Sequence, residues 1–263
     1  MMRSFGVLLT VIFVGLPDCV LSAATGSVKC KSNAADTAFL ARCHNNRVQA
    51  RLPPTINPDP KSSICWVPPP PGWFYGNWKM TYSSEPSYLH LHNMHSDTSP
   101  VFPQSSKLPG QNNDVVSYQI ANSTTILTEH TIDTPRRSKD PSLGPEWDAV
   151  YDTVGTGNMA AVNNTWELLA WGYDTCGDGY LVIYETATPI IRSPSGLDIE
   201  SRSENGPSPE TLADIFVELL ALNNTELSEL VKGTVKQVVD GRRWGMSPVE
   251  CDAHCVNNTG VSA

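Results

Sequence analysis

The chain has 263 residues, a formal net charge of −9, 40% hydrophobic residues and 17% charged ones. That acidic balance argues against nucleic acid or an anionic membrane surface as a partner, because both demand clustered Lys and Arg. The one basic stretch beyond the first residues, "PRRSK" at 135–139, is short and flanked by Asp133 and Asp140, as expected of a solvated loop.

Residues 1–24 read as a secretory signal. A charge at Arg3 precedes the apolar run "SFGVLLTVIFVGL", then Pro17 and the small-residue stretch "LSAAT", with cleavage expected near Ala23 or Ala24. The run is too short to span a bilayer comfortably and no second one follows, so no membrane span is expected. The protein is expected to enter the secretory pathway and to be secreted or lumenal. Removing Cys19 with the signal leaves Cys30, Cys43, Cys65, Cys176, Cys251 and Cys255, an even set that an oxidising compartment favours as cystines. Their pairing is open; Cys251 with Cys255 would close a very short loop. Four sequons, at Asn122, Asn163, Asn223 and Asn257, mark expected surface glycosylation sites.

Residues 25–72 carry "RLPPTINPDPKSS" and "WVPPPPGW". Proline at this density forbids regular helix or sheet, so an extended, disulfide-tied Cys/Pro-rich arm is expected there. A main domain is expected over 73–245 and a Cys-containing tail over 246–263.

From Tyr75 onward, eight β-like runs alternate with turn signals: "YGNWKMTYSS", a segment around His92 to Thr98, "DVVSYQIA", "TTILTEHTIDT", "EWDAVYDTVG", "TWELLAWGY", "GYLVIYETA" and "GLDIESRS". Their spacing predicts a mainly β protein, an antiparallel barrel or sandwich, with a hairpin at "DTCGDG". Two helices are expected next. The first, in "SPETLADIFVELLALNN", has Ser208 as N-cap and Pro209 at the first helical position; the second, in "ELSELVKGTVKQVVDG", sets Leu227, Leu230, Val231, Val235 and Val238 along one side as far as Gly241. Both are expected to pack on the outside of the barrel.

"GNWKMTYSS" resembles the G-x-W signature of lipocalins, in which the tryptophan, here Trp78, closes the narrow end of an eight-stranded antiparallel barrel. The continuation "NDVVSYQ", "TEHTIDTP", "TWELLAWGYD", "GYLVIYET", "PSGLDIESRS" and "GPSPETLADI" is similar to lipocalin-like proteins of filamentous fungi. The plant violaxanthin de-epoxidases share the outline, but "EPSYLHLHNMHSD" lacks the features expected of that activity, which is not carried over. The resemblance covers roughly residues 72–240. It implies a cup for one hydrophobic small molecule. Two uses follow: a cofactor-free cyclase or isomerase acting on a polyketide or terpenoid intermediate in fungal secondary metabolism, or a carrier that releases its ligand unchanged.

Strand parity nominates residues for the cup. Tyr82, Tyr118 and Trp166 are expected to line it. His130, mid-strand beside Glu129, and Tyr184 are the expected catalytic groups, because an imidazole or phenol facing an apolar cavity can exchange a hydrogen bond or proton with a carbonyl. "YLHLHNMHSD" puts His90, His92 and His95 within six residues. With no fourth ligand at suitable spacing they are expected on a strand and turn near the mouth, without a metal. No cofactor fingerprint is present in the sequence, and none is expected to be needed.

Overall fold

The computed structural model describes residues 20–21, 28–29, 48–57, 66–70, 72–102, 110–137 and 147–259. Most of the signal segment, together with Cys30, Cys43 and Cys65, lies outside the described residues. Eight long strands form one antiparallel meander: β1 Gly76–Ser83, β2 Leu91–Pro100, β3 Asn112–Ile120, β4 Leu127–Arg137, β5 Trp147–Gly155, β6 Asn163–Tyr173, β7 Gly179–Glu185 and β8 Gly196–Ser201. Each pairs with its sequence neighbour, and β8 returns to β1 with Asp198 opposite Ser83 and Ser201 opposite Lys79. The sheet therefore closes on itself, and its edges vanish except where a short strand β9, Val235–Lys236, adds to the Tyr82–Ser83 end of β1.

Two apolar clusters divide the molecule at the barrel wall. Inside, toward the end where β1 begins, Phe74, Trp78, Tyr151, Leu168, Trp171, Leu181 and Ile183 pack together. Outside, Tyr180, Val182, Tyr184, Leu197 and Ile199 face two helices, α1 Pro209–Ala221 and α2 Thr225–Gly233, through Ile215, Leu219, Leu227 and Val231. The helices begin where their caps dictate: Ser208 accepts from the Thr211 amide, and Asn224 from the Leu227 amide. Val48, Ala50, Leu52 and Ile56 of the preceding segment join the outer cluster.

The second helix stops earlier than its apolar spacing predicts. It ends at Gly233; Val235 and Val238, expected on its buried face, are 43% and 40% exposed. The β-branched run around Thr234 to Val239 leaves the helix to pair with β1 and then to bridge His92. From there the chain crosses the outer face of β1–β3. Arg243, 1% exposed, anchors it by donating to the carbonyls of Asn93 and Ser117 and to the Ser117 hydroxyl. A last short helix, α3 Ala253–Val256, lies against β4 and is closed by the Cys251–Cys255 disulfide.

Cys176, expected as half of a cystine, is a free thiol. It sits in the β6–β7 turn, where the Asp174 carboxylate accepts from the amides of Cys176 and Asp178 and where Gly177 takes a positive φ. The sequon residues Asn122, Asn163, Asn223 and Asn257 are all exposed.

Candidate functional site

The closed end is built on Trp78. Its indole is fully buried, donates to the Phe74 carbonyl at 2.5 Å, and is roofed by Trp73 at 5.3 Å between ring centroids. From outside, the Arg202 guanidinium lies 3.6 Å over the indole and donates to the carbonyls of Asn77, Tyr75 and Trp73. An eight-stranded up-and-down barrel, closed first strand to last, with a first-strand tryptophan as its floor, matches the expectation set by "GNW". The fold is lipocalin-like.

The opposite end of this lipocalin-like barrel lies under the turn between β1 and β2. There Pro86–His90 forms a 3-10 helix whose N-cap, Glu85, accepts from the Ser87 amide and hydroxyl, and whose Tyr88 reaches the lumen. Between floor and turn lies a cavity lined by Met80, Tyr88, Val116, Trp166, Leu181 and Ile183 together with Asp114, Glu185 and Glu200. The space open to the centre of a water-sized sphere is about 40 Å³, room for about three waters at roughly 10–15 Å³ each.

Carboxyl groups dominate the polar part of this lumen. Glu200 is 4% and Asp198 1% exposed, and both point inward from β8, whose alternate residues Leu197 and Ile199 belong to the outer cluster. Asp114 accepts from the Ser96 hydroxyl, and Asp133 from Thr153 and from the Trp166 indole. Burial pushes Asp114, Glu185, Asp198 and Glu200 upward from the ordinary carboxylate range; the neighbouring Asp114 and Asp198 charges push Glu200 further, and burial alone raises Asp133. The half-buried Tyr88 faces Glu185, and that carboxylate first, then burial, raises its phenol well above the ordinary value.

The residues nominated from sequence divide between the two sides of the wall. Tyr118 and Trp166 face the lumen: Tyr118 donates to Glu129, and Trp166 stacks on Tyr151 at 4.1 Å with 16° between planes. His130 does not. It alternates with Glu129 on β4 and points outward, its Nδ1 2.8 Å from the Thr156 hydroxyl and its Nε2 3.1 Å from Asn113, and burial lowers its pKa. There it lines an outer cleft of about 400 Å³ between the barrel wall and the disulfide-closed tail.

Tyr184 also points outward, donating to Glu226 of α2; its phenol is raised by burial and by that carboxylate. Tyr82 packs against the outer cluster with Tyr184. Parity went astray because both faces of these strands are covered, so apolar character does not mark the inside. A bulge between Leu168 and Ala170 adds to the difficulty by turning Trp171 into the inner cluster.

The histidine-rich stretch is dispersed. His90 ends the 3-10 helix, His92 lies 3.5 Å from Asp240, and His95 is buried on the outer face 3.7 Å from Glu204, with a bulge and a positive-φ Asn93 between the last two. Burial, with Arg243 and Lys79 nearby, lowers the His95 pKa to about 3. Among the described residues no group of three metal-ligating side chains converges, and no helix is long and apolar enough to cross a membrane.

No family model matches the chain. It is 28% identical over 197 residues, 73% of this chain and 84% of the relative, to botcinic acid biosynthesis cluster B protein 12 of Botryotinia fuckeliana. Similar solved structures include lobster apocrustacyanin A1, at 13% identity, 82% of this chain, 93% of that chain and a TM-score of 0.41. A biogenic amine-binding protein in selenomethionine form matches at 13% identity over 71% and 87% of the two chains, with a TM-score of 0.41. The siderocalin Ex-FABP matches at 17% identity over 58% and 89%, with a TM-score of 0.37.

Proposed function

We propose that the protein is a cofactor-free cyclase or isomerase of secondary-metabolite biosynthesis, acting within the secretory pathway or outside the cell on a small hydrophobic intermediate of polyketide or terpenoid type. The observation that carries this reading is the set of carboxyl groups Asp114, Glu185 and Glu200 on the wall of an otherwise largely apolar, aromatic cavity. Burial favours their neutral form, and a neutral carboxyl in a dry site is an O–H donor aimed at whatever carbonyl or alkene enters. Such a donor polarises a carbonyl while Trp166, Met80 and Ile183 fix the pose of the chain; these are the two things a ring closure or double-bond shift requires. In an isomerisation the proton given at one carbon is recovered from another, so neither cofactor nor co-substrate is consumed. Membership of the relative in a biosynthetic cluster, by its name, agrees with this setting.

A substrate is far larger than three waters, so the turn carrying Tyr88 must swing out to admit it. The test is native mass spectrometry of the deglycosylated protein incubated with an extract of its source organism, against a heat-denatured control. Release of a bound compound as an isomer of unchanged mass supports the reading. Release of the compound unaltered makes the protein a carrier, and retention of nothing by the folded protein overturns both uses of the barrel.

A further inference from the structure

We propose that the lumen recognises a positively charged group, so that the molecule it takes is an apolar one bearing a protonated amine. This rests on the reading that the barrel is the binding site, and it names the substrate class. Three observations carry it. Carboxyl groups enter the lumen from four strands, with Asp114 on β3, Asp133 on β4, Glu185 on β7, and Asp198 and Glu200 on β8. None of the side chains lining the cavity is basic. Lys79 and Arg243 are spent on backbone carbonyls outside the wall, and Arg202, the one cation whose charge reaches Glu200, is held at the closed end by the carbonyls of Asn77, Tyr75 and Trp73.

Second, Asp198, 1% exposed and next to the cavity-lining Glu200 on β8, bonds Ser83 but leaves its Oδ1 without a hydrogen-bond partner. A buried carboxyl oxygen left without a donor costs free energy that a ligand donor would recover. Third, aromatic rings stand among these carboxyls: Trp166, Phe74 and Tyr88 line the same cavity and offer ring faces on which a cation is favoured over a neutral group. An ammonium carries three donors and no acceptor, so it can satisfy carboxyls from two strands at once. The remaining carboxyls stay protonated beside it, and the donors needed for the proposed chemistry are kept.

The experiment is calorimetric titration of the full chain near neutral pH with benzylammonium, benzyl alcohol and benzoate, three probes of one ring size that differ in charge. Benzylammonium is expected to bind, the alcohol and benzoate to bind about tenfold more weakly or not at all, as loss of a charge-assisted hydrogen bond dictates. Asp198→Asn and Glu200→Gln should each erase that preference, while His130→Ala, on the other side of the wall, should keep it. Equal binding of the alcohol and the ammonium overturns the charge preference and leaves the barrel as the site. Binding of benzylammonium that neither carboxyl substitution weakens places the probe outside the lumen and overturns the proposal. Binding of none of the three overturns both the charge preference and the barrel reading at this ligand size.

Discussion

Arg202 and Trp78 close one end of the barrel as a stacked pair, the guanidinium 3.6 Å above the indole centroid. The pair crowds Gly179, where a Cβ would lie 3.3 Å from each partner and the stack would have to give by a few tenths of an ångström. It also ties β1 to the end of β8, the junction that turns an open meander into a closed barrel. Arg202→Ala removes the stack and three hydrogen bonds to carbonyls and should cost about 2–4 kcal/mol. Thermal unfolding checks this: Arg202→Lys, which keeps the charge but not the planar fork, should recover only part of the loss.

Stability should rise as the solution is made less alkaline. The lumen carboxyls have pKa values raised above those of the unfolded chain, so the folded state holds protons that the unfolded state gives up, and that contribution is lost as pH rises through the folded pKa. For Asp114 the window runs from about 4 in the unfolded chain to about 8 in the fold. His95 and His130, both lowered, act in the opposite direction below about 6.5, where the unfolded chain gains protons that the fold refuses. The melting temperature is therefore expected to climb as pH falls from about 8.5 to 7, where the carboxyls dominate and the raised Cys176 thiol acts in the same direction. In Asp114→Asn that slope should flatten, and an unchanged slope would show that Asp114 does not titrate in this range.

His130→Ala should leave ligand handling intact and cost about 1 kcal/mol through its lost bonds to Thr156 and Asn113. Parallel melting and binding curves on the variant check both halves. A collapse of binding with normal melting would return the imidazole to the site.

Asn258 fastens the tail to the wall, donating to the carbonyls of His130 and Thr156 and accepting from the His130 amide. The Cys251–Cys255 bridge holds the short helix that presents Asn258. Cys251→Ser with Cys255→Ser should speed hydrogen exchange at the His130 and Thr156 amides and leave the Val182 amide unchanged, because Val182 lies under the helices on the other flank. Equal protection in both proteins would make the disulfide irrelevant to the tail.

Strand positions, the Trp78 floor and the first helix were all legible because each is written in local pattern: G-x-W, alternation between turn residues, and Ser208-Pro209 before an apolar stripe. What escaped was sidedness. In "GLDIES" the ordinary rule would send Leu197 and Ile199 inward and Asp198 and Glu200 to solvent, yet the structure does the reverse, since α1 and α2 cover the outer face and claim the apolar residues. Two helices long enough to cover three strands were visible in the sequence and carried that signal. Tyr184 was misplaced by the same rule, and His130 because the tail that covers it lies more than a hundred residues away. Short-range pattern does not contain that information. The strand β9 is hidden in the sequence because its one valine, Val235, fits the helical spacing of Leu227 and Val231 as well as it fits a strand.

Chemistry at the lumen carboxyls is the central claim, and the most direct measurement compares turnover of an isomerised compound from source-organism extract by wild type, Glu200→Gln and Tyr184→Phe. Conversion should fall by a factor of about 10²–10⁴ in Glu200→Gln, the usual contribution of a positioned acid, and stay unchanged in Tyr184→Phe, whose hydroxyl serves α2 outside the wall. Full conversion by Glu200→Gln, or its loss in Tyr184→Phe with the fold intact, would contradict it.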